Sequence, residues 1–229
     1  MSKLINFYKE IPSVYKDNNS SKYKNWNKCK IDIPFRSLLL GSSGSGKTNC
    51  LMNIIQQMGC FDRIYLFAKN LDQPLYRFLI SRMNKLAKKI GEQVLFASES
   101  LEDMPQLDQI DPSHNNFFIW DDMLLEKSQK TIEELYIRGR QLNCSLCYIS
   151  QSYFSCSKLI RKQCDYIFIK KINTQNDLKR IISEYNLNDV TPQQLVEFYK
   201  QIVAKGMENF LLIDLKTDDP KLKFRMNFG

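Results

Sequence analysis

The stretch FRSLLLGSSGSGKTNCLMNIIQQM, residues 35–58, decides the fold. FRSLLL is an unbroken apolar run that reads as a buried strand, and KTNCLMNIIQQM after it has the spacing of an amphipathic helix. Between them GSSGSGKT (41–48) matches the phosphate-loop pattern G-x-x-x-x-G-K-[ST] in full, in the strand-then-helix setting that the pattern requires. Gly41, Gly44 and Gly46 let the backbone curl around Ser42, Ser43 and Ser45 so that successive N–H groups point at phosphate oxygens. Lys47 brings a point charge to the terminal phosphates. Thr48 offers a hydroxyl for Mg²⁺ at the start of a helix whose own dipole favours an anion.

Working outward, further apolar runs follow at RIYLFAK (63–69), QVLFAS (93–98), NFFIWDD (116–122), CSLCYIS (144–150), DYIFIK (165–170) and ENFLLIDL (208–215). Segments long enough for helices separate most of them, including QPLYRFLISRMNKLAKKI and stretches near 127–138, 156–162, 174–185 and 191–204. Runs apolar throughout mark strands covered on both faces. The expected fold is therefore α/β, a mostly parallel central sheet with helices on both faces. Residues 1–33 are polar and lysine-rich without a period and read as a basic N-terminal arm, leaving 34–229 as the catalytic domain.

Composition excludes several classes. The 229 residues are 43% hydrophobic and 25% charged, which suits a globular chain and not a disordered or coiled-coil one. No apolar run approaches the ~18–20 residues that span a bilayer, and the N-terminus has no secretory pattern. An intracellular protein without a membrane partner is expected. The seven cysteines then read as reduced thiols. Cys144 and Cys147 form a C-x-x-C, but on a strand they face opposite sides of the sheet, which argues against a metal site. The net charge of +8 is unevenly placed. Residues 1–30 and 155–180 each carry +5, whereas 99–136 carry −8. Such separation suits a polyanion partner or an oppositely charged neighbouring subunit, and equally a solvated surface in a lysine- and asparagine-rich proteome. On charge density alone, Lys158, Arg161, Lys162, Lys170 and Lys171 are the candidates for contact with such a polyanion, which would be DNA if the chain acts on nucleic acid.

FFIWDD supplies the second half of a phosphate site. Its strand delivers Asp121 at the C-terminal edge, where the carboxylate can support Mg²⁺, and Asp122 beside it can act as general base on water. The alternative is that the pair caps the next helix. The 73 residues between Thr48 and Asp121 suit hydrolases with an extra strand between the motifs, and no N-K-x-D for guanine is present. Gln151, just past CSLCYIS, is placed to reach the γ-phosphate or its water, the alternative being an ordinary polar loop residue. Arg138 and Arg140, before that strand, are candidates for a finger reaching a neighbour's phosphate, for backbone contact with DNA, or simply for a helix terminus.

The order of these pieces resembles the FtsK–HerA superfamily of P-loop motor ATPases, and within it the poxvirus-type DNA-packaging ATPases of large DNA viruses, virophages and Polinton-like elements. FRSLLLGSSGSGKTN, FFIWDDM, RGRQLNCSLCYISQSYF and the closing FLLIDL…KFRMNF carry the resemblance, across about 35–228. It implies a RecA-like core with ATP and Mg²⁺ as cofactors, Lys47 and Thr48 on the nucleotide, Asp121 on the metal, and Gln151 as sensor. Asp122 stands where the wider superfamily often has Glu. In RGRQ the last residue departs from a similar G-R-H, which leaves Arg140 the better-matched finger. The resemblance further implies a homo-oligomeric ring, a hexamer or pentamer, moving double-stranded DNA into a preformed capsid beside a capsid or portal-vertex protein. The setting would be host cytoplasm or a viral factory, with retention in the virion open. Competing readings are a cellular HerA/FtsK-type translocase, a small-molecule kinase on the same loop, and a non-hydrolysing structural subunit.

Overall fold

The computed structural model describes residues 23–123, 129–173, 175–184 and 190–229, together with Glu10 and Pro12. Eight strands form one sheet in the order β3-β2-β4-β5-β1-β6-β7-β8. They are β1 (Arg36–Leu40), β2 (Arg63–Ala68), β3 (Leu95–Ser98), β4 (Asn116–Asp121), β5 (Cys144–Ser150), β6 (Tyr166–Ile169), β7 (Leu211–Asp214) and β8 (Phe224–Met226). The first six run parallel, and β7 and β8 then pair antiparallel. The helices are α1 (Trp26–Cys29), α2 (Lys47–Met58), α3 (Pro74–Ile90), α4 (Gln129–Arg138), α5 (Lys158–Gln163), α6 (Gln175–Glu184), α7 (Pro192–Ala204) and α8 (Pro220–Lys223).

Strand alternation divides the core in two. Leu38 and Leu40 pack in one cluster with Trp120, Tyr136 and Tyr148, under α4 to α7. Leu39 packs in the other with Ile54, Tyr76 and Phe117, under α2 and α3. Each fully buried aliphatic side chain contributes roughly 1.5–3 kcal/mol, so covering both faces is what makes these strands apolar throughout. Cys144 and Cys147 fall in opposite clusters, as strand geometry requires.

Two features differ from the sequence reading. The segment 23–33, grouped there with the arm, is built into the domain: Cys29 and Ile31 are 0% exposed. Asn25 donates to the Gln57 carbonyl at 2.9 Å, and the Arg225 guanidinium donates to the carbonyls of Cys29 (2.8 Å) and Lys30 (3.1 Å). Polar composition hid this because side chains that hold the segment are themselves polar. The lysine-rich stretch before Tyr23 lies outside the described residues, as do 124–128, where the helix expected from 127 would begin. The second difference is β8, three residues too short to carry a periodic signal, which pairs with a strand whose antiparallel sense burial alone does not reveal.

The register positions the site. β1 lies between β5 and β6, with Leu40 opposite Ser150 on one side and Ile169 on the other. Asp121 stands opposite Ile149. The loops after β1, β4 and β5 therefore leave the same edge of the sheet, at the carboxyl ends of parallel strands where open α/β sheets bind ligands.

Candidate active site

The phosphate loop is held from both flanks. Gly41 N–H donates to the Ser150 carbonyl at 3.2 Å, and Ser42 donates to the Lys171 carbonyl through its N–H (2.9 Å) and its hydroxyl (2.7 Å). A Cβ on Gly41 would lie 2.4 Å from Ser45 Oγ and 2.7 Å from Lys170 Cβ. Gly46, at φ +84°, begins α2, and a Cβ there would meet the Met207 carbonyl at 2.9 Å. No other residue fits either position without displacing backbone or a packed side chain. The Lys47 ammonium is folded onto the loop's own carbonyls, 2.8 Å from Gly41 O and 3.0 Å from Ser42 O. Burial lowers its pKa, while Asp121 and Asp122 favour the charged form.

Asp121 ends β4 at 9% exposure. Its carboxylate accepts a 2.6 Å hydrogen bond from the Tyr76 hydroxyl, which is 0% exposed in the first turn of α3. Thr48 neighbours the same phenol and favours its ionised form, against the rise that burial imposes. Burial raises the Asp121 pKa; Tyr76 and Lys47 oppose the rise and Asp122 adds to it. Asp122 turns out of the strand at φ +57° and is exposed to the cavity. Asp enters this left-handed region more readily than most residues because its short side chain can bond locally.

A cavity of about 510 Å³ brings together Ser43, Gly44, Gly46, Lys47, Thr48, Asp121, Asp122 and Gln151, with Gln73, Leu75 and Met207 at its walls. Gly41, Ser42 and Ser45 do not line it: Gly41 closes the strand end, the Ser42 hydroxyl is engaged by Lys171, and Ser45 Oγ is buried without a partner. A second cavity of about 270 Å³ shares Gly44 and Met207 with the first and extends along Ser45, Lys170, Lys171 and Asn209. The oxygen-only donor set of Thr48 and Asp121, in a roomy polar cavity, fits Mg²⁺, which keeps several waters and takes few protein ligands beside phosphate.

Arg138 and Arg140 are not in this site. They precede β5, and both are exposed. The seven residues of β5 separate them from Gln151 by about 20 Å. The charge-based DNA candidates are only partly at the surface. Lys170 is 0% exposed and donates to the Asn209 carbonyl at 2.7 Å and to the Met207 carbonyl. Arg161 is 9% exposed, bonded to the Cys156 carbonyl at 2.9 Å and paired with Glu184. Burial and these partners remove both from any DNA-facing role, whereas Lys158, Lys162 and Lys171 are exposed. Sequence reading missed Tyr76 and Lys170 as parts of the site. The start of α3, just past the carboxyl end of β2, could have been flagged from topology, but not the phenol itself.

The family model described as the poxvirus A32 protein matches residues 22–214, most of the chain. The chain belongs to the poxvirus A32 protein family. Its phosphate loop, Asp121–Asp122 pair and Gln151 all fall within the matched residues, in keeping with the resemblance read from their order. Among solved structures, the A32-family chain is similar to the genome packaging NTPase B204 from Sulfolobus turreted icosahedral virus 2 in complex with ATP-gammaS. That likeness has a TM-score of 0.56 at 15% identity, covering 85% of this chain and 97% of that one. The sulfate complex of the same protein gives 0.57 at 17% identity, covering 86% and 97%. At this identity the likeness speaks for the fold of the A32-family chain. No curated protein matches it by sequence. No described helix is long and apolar enough to cross a membrane.

Proposed function

We propose that this chain is an ATP-hydrolysing motor subunit that moves double-stranded DNA into a preformed viral capsid. The observation that carries the reading is the single cavity where Lys47, Thr48, Asp121, Asp122 and Gln151 converge in a member of the A32 family. The similar B204 protein, a genome packaging NTPase bound to ATP-gammaS, supports ATP as the nucleotide. Lys47 leaves the Gly41 and Ser42 carbonyls for the β and γ phosphates, and the loop N–H groups cradle them. Mg²⁺, when bound by Thr48 and Asp121, supplies charge neutralisation at the phosphates. Asp122 accepts a proton from the attacking water, and Gln151 orients that water or senses the γ-phosphate. The second cavity continues past Gly44 and Met207 and gives room for ribose and base.

Arg138 and Arg140 sit at the amino edge of β5 and the nucleotide cavity at its carboxyl edge. Copies packed head to tail would bring the arginines of one subunit to the phosphates of the next, and such heterologous contacts close into rings when the rotation permits. This supports a ring, hexameric or pentameric, with Arg140 or Arg138 acting in trans; a capsid or portal-vertex partner, in host cytoplasm or a viral factory, rests instead on membership of the A32 family.

Steady-state ATP hydrolysis with and without double-stranded DNA tests the reading, with Lys47→Ala in the same series. DNA should raise the rate, and the substitution should abolish it. Hydrolysis indifferent to DNA, or retained in Lys47→Ala, would sink the motor reading.

A further inference from the structure

Removing Arg161 and Lys170 from the surface leaves the question of where DNA would touch. Helix α3, PLYRFLISRMNKLAKKI, carries Arg77, Arg82, Lys85, Lys88 and Lys89 and no acidic residue. The helices α4 and α7 balance their charges internally, with Lys130 and Arg138 against Glu133 and Glu134, and Lys200 against Glu197. All five cations of α3 are exposed, and none makes an ion pair among the described residues.

The side chains divide the helix into faces. Tyr76 and Leu79 are buried against the sheet. Arg77, Ser81, Asn84, Lys85 and Lys88 line an open groove of about 500 Å³, with Asp72 its one carboxylate. These are the residue types that bond phosphate oxygens, two supplying neutral donors between cations. From Arg77 to Lys88 the helix rises about 16 Å, the axial length of about five phosphates on one DNA strand. The exposed apolar side chains Leu75, Phe78, Leu86 and Ile90 lie outside the groove lining, and the two apolar residues within it, Leu71 and Ile80, are half-buried beside the cations.

The geometry points to the Arg77–Lys88 face of α3 as a surface for the phosphate backbone of double-stranded DNA. The inference rests on the motor reading and adds to it the surface and a route to the site. The same helix begins at the nucleotide cavity with Leu75 and places Tyr76 on Asp121 at 2.6 Å. A helix pulled by DNA at one face thus bears directly on the carboxylate at the other, without an intervening loop.

The test is the salt dependence of binding to a fluorescent DNA duplex, using the full chain. The triple variant Arg77→Gln, Lys85→Gln, Lys88→Gln is compared with the charge-matched Lys158→Gln, Lys162→Gln, Lys171→Gln. All six positions are exposed, and an unchanged melting temperature verifies that each variant folds. The expected result is a slope of log K against log salt shallower by roughly 0.9 for each phosphate no longer neutralised, in the α3 variant only. Equal loss in both variants would mean that overall charge and not this face binds DNA, which overturns the inference. So would an α3 variant that keeps its DNA slope but loses oligomer mass, since the face would then meet the acidic 99–111 segment of a second copy. If the unsubstituted chain does not bind DNA at all, the motor reading falls together with this one. Unchanged binding by the α3 variant overturns the α3 surface alone and leaves the motor reading standing.

Discussion

Tyr76 and Asp121 lie 45 residues apart in the chain and meet at 2.6 Å with almost no solvent around them. A carboxylate in such a place pays for its desolvation unless a donor faces it, and Tyr76 is that donor. Asp121 has its pKa raised above 3.8 by burial, so between that value and the folded one the native state binds the extra proton. Its stability contribution therefore falls as pH rises through this window. Under the proposed function, the ionised form that would support Mg²⁺ is reached only above it, so hydrolysis should rise with pH on the acid side. Tyr76→Phe removes the hydrogen bond that opposes the shift. The acid limb of the pH–kcat/KM profile should move to higher pH, with a loss of about 1–3 kcal/mol in unfolding free energy. An acid limb that stays in place would show that the phenol packs but does not tune Asp121.

Between elements, Lys170 fastens the surroundings of the phosphate loop. It stands just past β6, and its ammonium holds the turn between α7 and β7 through the Met207 and Asn209 carbonyls. That turn in turn presses on Gly46. Lys170→Met keeps the volume but leaves both carbonyls without their donor, and relief of a buried charge offsets part of that cost. The expected net loss is about 1–3 kcal/mol in urea unfolding, with weaker nucleotide binding by titration. A stable variant with unchanged affinity would make the lysine a bystander. The same residue shows where sequence reading stops. The mostly parallel sheet and the convergence of Lys47, Asp121 and Gln151 follow from apolar runs and motif order, because parallel strands must be covered on both faces, whereas the strand order around β1 does not. Lys170 carries no such mark: a lysine after an apolar strand looks like surface, and only tertiary packing, with carbonyls from 37 and 39 residues away, takes it inside. Segment 23–33 escapes sequence reading for a related reason, since Asn25 and Arg225 act through long-range bonds to carbonyls that leave no periodicity.

At the scale of the whole molecule, the sheet has its nucleotide cavity at one edge and Arg138 and Arg140 at the other, about 20 Å apart along β5. No rearrangement of side chains lets one subunit complete its own site with these arginines. A site completed by a neighbour makes a specific demand on mixtures. Lys47→Ala should be inactive because it binds no triphosphate productively, yet it still carries its arginines. Arg140→Ala should be inactive because it offers no finger, yet its own nucleotide cavity is intact. Mixed in equal parts and allowed to exchange subunits, the two should regain hydrolysis, because an Arg140→Ala cavity followed by a Lys47→Ala neighbour is whole. Random head-to-tail arrangement makes about a quarter of the interfaces whole, so recovery should approach that fraction of the unsubstituted rate. Arg138→Ala in place of Arg140→Ala asks the same of the other arginine, and the one that complements is the finger. Two inactive variants that stay inactive when mixed, in oligomers shown by mass to contain both, would mean that each subunit hydrolyses ATP with its own residues and that these arginines serve another surface.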